Sequence, residues 1–180
     1  GVGFISTKMD QNGIWGIQSM GPDLYDGMGG LAVFFAILIK RRLLHDTKLF
    51  EQILARLFMY TDLGKIRGTG LFSGAGSVAF TYALLYVILQ EERFLTYAEK
   101  QASLLEAIYI QDKNYDLLSG NAGAIVFLII LYILTKDEKW KSQAIEIGDW
   151  LWTKAIKQKQ GYGWKLKLCE NALGGMAHGN

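Results

Sequence analysis

Cysteine, proline and net charge are all scarce in this chain. A single cysteine, Cys169, excludes an internal disulfide framework and favours a reducing compartment, so we expect a cytoplasmic protein. One proline in 180 residues leaves long helices uninterrupted. The formal net charge of +2 is too small to indicate nucleic acid or an anionic membrane surface as a partner. Because 51% of the residues are hydrophobic, the composition predicts a packed domain and excludes a disordered one.

Long hydrophobic runs are also missing. The most apolar stretches end at Ile39, Leu89 and Leu134, and each is shorter than the roughly 20 residues that a bilayer core requires. We therefore expect no membrane span, and helices that are apolar all round because they are buried in protein. The first residues, GVGFIST, contain neither an initiator Met nor the pattern of a signal peptide. Since the end also falls where a further helix should start, we expect a piece of a larger polypeptide.

What the chain does contain is a glycine motif that recurs along its length. We number the motifs 1 to 4: DLYDG at 23–27, GLFSG at 70–74, DLLSG at 116–120 and GMAHG at 175–179. Their final glycines are 47, 46 and 59 residues apart, a spacing typical of repeats built from helix pairs. A nearly uncharged segment accompanies each of the first three motifs, and we predict helices over about 30–44, 74–90 and 122–135.

Amphipathic segments alternate with these apolar ones. Each has one apolar stripe at helical spacing: Phe50, Ile53, Leu54, Leu57 and Phe58; then Phe94, Ala98, Ala102, Leu105 and Ile108; then Trp140, Ala144, Ile147, Leu151 and Ala155. A helix that is apolar all round must be enclosed, whereas a helix with one stripe lies outside and faces water. The alternation predicts an all-α fold of inner and outer helix pairs, a partial α/α toroid equal to about half of an α6/α6-type barrel.

The first 20 residues differ from the rest and form a separate lead-in. Short β-type segments flank Asn12-Gly13, which predicts a β-hairpin around a type I′ turn. In the motifs, the residue before each of the first three final glycines is Asp26, Ser73 or Ser119. These residue types favour helix N-caps, and we predict that role for all three.

Taken together, the three GxxG-type motifs at near-constant period and the following GMAHG resemble the lanthionine synthetase C-like cyclases. The closest likeness is to the C-terminal cyclase domain of class II, bifunctional lanthipeptide synthetases, with residues 21–180 corresponding to its N-terminal half. The resemblance implies two catalytic residues. Asp116 in YDLLSG matches an Asp in the floor of the family's active site, and His178 in GMAHG matches the family's active-site His.

The resemblance also implies a zinc ion in the full-length parent. In the family a Cys and then an adjacent Cys-His pair hold the metal, and all three come from the second half of the domain. No such set is found here, and Cys169 does not stand at a matching position. We therefore expect no metal or other cofactor in this fragment, and no activity from it alone.

The reaction implied by the resemblance is addition of a peptide Cys thiol to dehydroalanine or dehydrobutyrine, which forms a thioether ring in a dehydrated precursor peptide. The addition produces an enolate that needs a proton, and an imidazole suits that task because its pKa is near neutral. A nearby carboxylate can orient the imidazole or accept the displaced proton. Asp116 and His178 enter inner helices one repeat apart, so we expect a ring to bring them to one face.

Two other functions remain open. The first is a non-catalytic, peptide-binding α/α toroid of the same ancestry. The second is a six-hairpin glycosidase in which Asp23 and Asp116 supply the paired carboxylates that hydrolysis needs. Half a toroid would also expose apolar helix flanks, so we expect this chain to self-associate through them or to rearrange its last segment.

Overall fold

The computed structural model describes residues 4–9, 12–63 and 66–165, together with Gly175 and Ala177. Within these residues the chain forms six α-helices and two small antiparallel hairpins. In chain order the elements are β1 (Ile5–Met9), β2 (Trp15–Ser19), α1 (Met28–Lys40), α2 (Lys48–Asp62), α3 (Ala75–Leu89), α4 (Glu92–Ile108), α5 (Asn121–Thr135), α6 (Glu138–Thr153), β3 (Ile156–Lys157) and β4 (Tyr162–Gly163). The predicted all-α architecture with a hairpin lead-in is confirmed.

Helices α1, α3 and α5 are the inner helices, and α3 lies between the other two. Helices α2, α4 and α6 are the outer ones, and each packs on the inner helix that precedes it. This arrangement is an arc of an α/α toroid. The enclosed position of α3 explains why it buries residues around its whole circumference, whereas the flanking α1 and α5 each keep an exposed apolar side. The exposed residues are Phe34 and Ile37 on α1 and Val126, Ile129 and Ile133 on α5.

The predicted stripes of the outer helices form the core contact. Every stripe residue that lies within a helix is buried or packs partly buried against the core. Ala155 is the exception, because α6 ends at Thr153 and Ala155 lies beyond the turn at Lys154. No helix in the described part of the chain combines the length and the apolarity needed to cross a bilayer.

Helix α1 ends four residues before the predicted Leu44. Arg42 adopts a left-handed backbone with φ of 59°, and its N–H donates to the Ile39 carbonyl. The next amide, Leu43 N–H, donates to the Leu38 carbonyl. This pair of bonds is a Schellman motif, which closes a helix and usually requires glycine at the left-handed position. An arginine there gives no sequence signal, and the predicted helix was therefore too long.

The N-terminal hairpin has the predicted strands but not the predicted turn. Pairing runs from Ile5↔Ser19 to Met9↔Trp15, so the connection is longer than the two-residue type I′ turn expected around Asn12-Gly13. The Met20 N–H donates to the Phe4 carbonyl and extends the hairpin by one bond. The Tyr60 hydroxyl of α2 donates to the Met20 carbonyl and anchors the hairpin to the helical body. The second hairpin, β3–β4, was not predicted, since each strand has only two residues.

Candidate functional site

The glycine motifs lie side by side at one end of the inner helices and are joined by a ladder of backbone hydrogen bonds. The N–H of Tyr25 donates to the Phe72 carbonyl at 3.0 Å, and the N–H of Phe72 donates to the Leu118 carbonyl at 3.0 Å. The N–H of Leu118 in turn donates to the Ala177 carbonyl at 3.4 Å. These four residues are the third residues of motifs 1 to 4. Equivalent atoms therefore make equivalent bonds, and motif 4 follows motif 3 in the same ladder.

Glycine is required in this ladder because the backbones of neighbouring motifs touch. A Cβ at Gly70 would overlap the carbonyl oxygen of Leu118 and the backbone of Ser119. At Gly74 the demand is also conformational, since its φ of +91° lies in the left-handed region that side chains disfavour. The glycines thus allow the motifs to approach closely enough for their N–H and carbonyl groups to bond.

Asp116, predicted to be catalytic, is held rigidly at the start of motif 3. Its side chain is only 4% exposed. One carboxylate oxygen, Oδ1, accepts the Ser119 N–H at 2.8 Å and the Ser119 hydroxyl at 3.0 Å. The Asp116 carbonyl accepts the N–H groups of Gly120 and Gly123. The carboxylate is therefore fixed by its own motif, one ladder step from motif 4.

His178, the second predicted catalytic residue, lies outside the described residues. Its predecessor in the chain, Ala177, takes part in the ladder beside Leu118. The predicted convergence of His178 with Asp116 stays a prediction.

The predicted N-caps are wrong for all three motifs. Helices α1, α3 and α5 take Gly27, Gly74 and Gly120 as their N-caps, with no side-chain capping bond. Asp26, Ser73 and Ser119 each stand one residue too early for that role. In motifs 1 to 3 the final glycine occupies the cap position because its lack of a side chain permits the close backbone approach.

A carboxylate from the neighbouring motif does the capping at α3. Asp23, the first residue of motif 1, accepts the Gly74 N–H at 2.6 Å and the Ser77 hydroxyl at 3.2 Å through the same oxygen, Oδ1. Burial raises the pKa of the Asp23 carboxyl above 3.8, although the bonds from Gly74 and Ser77 oppose that shift. Asp23 thus ties motif 1 to motif 2 by a side chain as well as through the ladder.

Asp112 is a second bridging carboxylate, and the sequence reasoning missed it. Its Oδ2 accepts the Thr69 N–H at 2.9 Å and the Thr69 hydroxyl at 2.6 Å, and its Oδ1 accepts the Asn114 N–H at 2.8 Å. It therefore fastens the residue before motif 2 to the loop that leads into motif 3. The only sequence signal was an Asp two residues before an Asn in a polar turn, which is too common to single out.

A cavity of about 520 Å³ lies beside motifs 1 and 2 at this end of the molecule, and Asp116 is not among its lining residues. Strand β1, the end of α2 and the two motifs line it; the lining residues are Lys8, Pro22, Asp23, Tyr25, Asp26, Tyr60, Leu63, Ile66, Arg67, Ser73 and Gly74. No group of three His, Cys, Asp or Glu side chains close enough to hold a metal ion is found in the described ranges. Cys169 lies outside them.

Fold and site together define a class: an arc of an α/α toroid whose glycine motifs line one end of the inner helices. The family comparison is more specific. The sequence model of the lanthionine synthetase C-like protein family matches residues 18–180, and the chain belongs to that family. No curated protein matches the chain at a significant level. Family membership goes against the six-hairpin glycosidase, in which Asp23 would be a reacting carboxylate rather than the helix-capping group found here.

Proposed function

We propose that the chain is part of a peptide cyclase that forms thioether rings in a dehydrated precursor peptide. In this reaction the sulfur of a peptide Cys bonds to the β-carbon of dehydroalanine or dehydrobutyrine, and a proton is added at the α-carbon. The thiol supplies that hydrogen overall, so neither an oxidant nor a reductant is needed. The observation that carries the proposal is the family match over 18–180.

The geometry of motif 3 supports a positioning role for Asp116, whereas the role of His178 rests on the chemistry of its side chain. Asp116 is buried and hydrogen-bonded to Ser119, so its carboxylate should keep one position during substrate binding and product release. We assign it as a positioning residue for the imidazole of His178. His178 would deliver the proton to the enolate, because an imidazole titrates near neutral pH.

The described residues do not fit the family's zinc, and we derive no step through that metal. The whole chain has one Cys and two His, which is one Cys fewer than the Cys, Cys and His set of the family. We therefore propose that these 180 residues alone do not cyclise a peptide, and that a parent polypeptide extended beyond Asn180 does. A reducing, cytoplasmic compartment would keep both Cys169 and the substrate thiols free to react.

A second candidate, a peptide-binding toroid without catalysis, is favoured by the same missing ligand set. The two candidates differ in whether the extended parent carries a metal. Elemental analysis of that parent after dialysis should find one zinc per chain if it is a cyclase, and none if it only binds peptides.

The test uses the extended parent and a synthetic peptide that contains one Cys and one dehydroalanine. Ring formation leaves the peptide mass unchanged but removes the thiol, so the product resists alkylation by iodoacetamide. We expect His178→Asn to abolish ring formation and the matched change at the other histidine, His45→Asn, to leave it intact. Asp116→Asn keeps an oxygen for Ser119, so it should fold, cyclise more slowly and shift the pH profile of the rate.

The possible results separate the alternatives. If the parent binds the peptide without consuming its thiol, the non-catalytic toroid is correct. If His178→Asn cyclises at the rate of the unchanged parent, the assigned proton donor is wrong.

A further inference from the structure

The cavity beside motifs 1 and 2 is not lined by Asp116, and the proposed ring-forming step makes no use of it. Its volume of about 520 Å³ lies within the roughly 300–1,000 Å³ typical of ligand sites. Ladder bonds join Tyr25 to Phe72 and Phe72 to Leu118, so the cavity and Asp116 lie at the same end of the inner helices. A ligand held in the cavity would therefore lie on the face that carries Asp116.

The charged groups of this cavity are not paired with one another. Two cations, Lys8 and Arg67, and two carboxylates, Asp23 and Asp26, line its wall. No ion pair joins any of the four within the described residues, although Lys8 lies near enough to Asp23 to affect its carboxyl. The carboxylate of Asp23 is already engaged through Oδ1 by motif 2. The wall therefore carries two positive and two negative groups, and what Lys8 and Arg67 offer a ligand is side-chain N–H donors that make no hydrogen bond or ion pair within the described residues.

The remaining wall of the cavity is apolar or aromatic. Tyr25 stands at the rim and is 76% exposed, and Leu63 is 54% exposed. Pro22, Ile66 and Tyr60 complete this surface. An exposed Tyr next to aliphatic side chains offers contact area at low cost in conformational entropy, as peptide-binding surfaces often do.

We propose that this cavity binds an extended segment of the substrate peptide in which an acidic residue stands next to an apolar one. Arg67 and Lys8 bind the carboxylate, and the surface around Tyr25 contacts the apolar side chain. The second carboxylate oxygen of Asp23 accepts no hydrogen bond from the described residues, so it can accept one from a backbone N–H of the peptide. Asp26 lies on the same wall and repels a second carboxylate, so a single acidic residue is preferred to an acidic run.

The site rests on the proposed function and adds a spacing rule to it. Neighbouring packed helices are about 8–10 Å apart, so one or two inner-helix steps separate the cavity from motif 3 by about 10–20 Å. An extended chain covers about 3.3–3.6 Å per residue. About three to six residues would then connect the held segment to the reacting part of the peptide.

The test measures binding alone, by fluorescence anisotropy of the full chain with a fluorescein-labelled Ala-Leu-Glu-Leu-Ala peptide. We expect saturable binding that weakens by about tenfold or more with Arg67→Glu. The matched control is Arg41→Glu, which makes the same charge change at the opposite end of α1 and should alter affinity by less than about twofold. The Arg67→Glu protein should in turn bind the Lys version of the peptide better than the unchanged chain does, and circular dichroism should show that it is folded.

Two results would overturn the site: no saturable binding of the Glu peptide, or equal weakening by Arg67→Glu and Arg41→Glu. Because no ring forms in this assay, the site and the reaction can fail separately. A parent that cyclises but shows no effect of Arg67→Glu on peptide affinity contradicts only the site. A parent that binds through Arg67 but never consumes a thiol contradicts only the cyclase.

Discussion

Replacing Gly70 by Ala should weaken the whole molecule by breaking the contact between motifs 2 and 3. The added Cβ would overlap backbone atoms of Leu118 and Ser119, which cannot rotate away as the end of a side chain can. The two motifs must therefore separate. Three hydrogen bonds cross this contact, from the N–H groups of Leu71, Phe72 and Ser73 to carbonyls of motif 3.

The size of the effect follows from those three bonds. Each contributes about 0.5–1.5 kcal/mol net, so losing all three costs about 3 kcal/mol in free energy of unfolding. The reduced freedom of the unfolded chain returns about 0.4–1 kcal/mol. A net loss of about 2–3 kcal/mol should lower the Tm by about 5–10 °C for a chain of this length.

Thermal unfolding followed by circular dichroism measures this change, with Gly148→Ala as the matched control. Gly148 lies in α6, where the nearest atom to an added Cβ is Ile125 Cδ1 at 3.9 Å. The same chemical change there should raise the Tm by about 2–4 °C, because Ala favours a helix by up to about 1 kcal/mol over Gly. Amide exchange at Leu71 and Phe72 should accelerate only with Gly70→Ala. If Gly70→Ala melts within about 2 °C of the unchanged chain, the reasoning about the ladder is refuted.

Three further predictions concern charge, a buried hydroxyl pair and the exposed flank. The pKa of Asp23 is raised in the folded chain, so its contribution to stability falls as the pH rises from about 3.8 through the folded pKa. The Tm of Asp23→Asn relative to the unchanged chain should therefore increase between pH 4 and 7. A Tm difference that does not change with pH would contradict this. The Tyr82 and Thr61 hydroxyls are buried and 2.8 Å apart, so Tyr82→Phe should lower the free energy of unfolding in urea by about 1–3 kcal/mol. The double variant with Thr61→Val should lose less than the sum of the losses of the two single variants, and strict additivity would mean that the bond contributes nothing. Ile129→Glu should reduce self-association in sedimentation velocity without lowering the Tm, whereas an unchanged chain that is monomeric at every concentration would show that the exposed apolar side of α5 has no partner in another copy.

Much of the helical architecture could be predicted because burial repeats with the period of the helix. The stripe through Phe50, Ile53, Leu54 and Leu57 is buried as expected, and the uncharged segments became the inner helices. Those inferences need only neighbours three or four residues away. The fold class was accessible for the same reason.

The details of the motifs were not accessible, because the decisive contacts join residues far apart in the chain. Ser73 had the right residue type for the N-cap of α3, yet Gly74 is the N-cap and its N–H is satisfied by Asp23, 51 residues earlier. Asp112 reaches Thr69 across 43 residues. No local sequence pattern predicts such bonds. The end of α1 was also not predictable, because Arg42 occupies the left-handed position that glycine usually takes. Sequence reasoning located the motifs but not the bonds between them.

The ladder has a direction, since motifs 1, 2 and 3 each donate a backbone N–H to the motif that follows. A contact in which one unit's donor side always meets the next unit's acceptor side is the intramolecular counterpart of a head-to-tail interface between subunits. Repeating such a contact at a constant angle generates a ring only when the rotation per step divides the full circle. The rotation angles at the glycine contacts therefore depend on one another. A substitution that widens the angle at one contact misaligns every later motif, and the ring can close again only if the angle at another contact narrows.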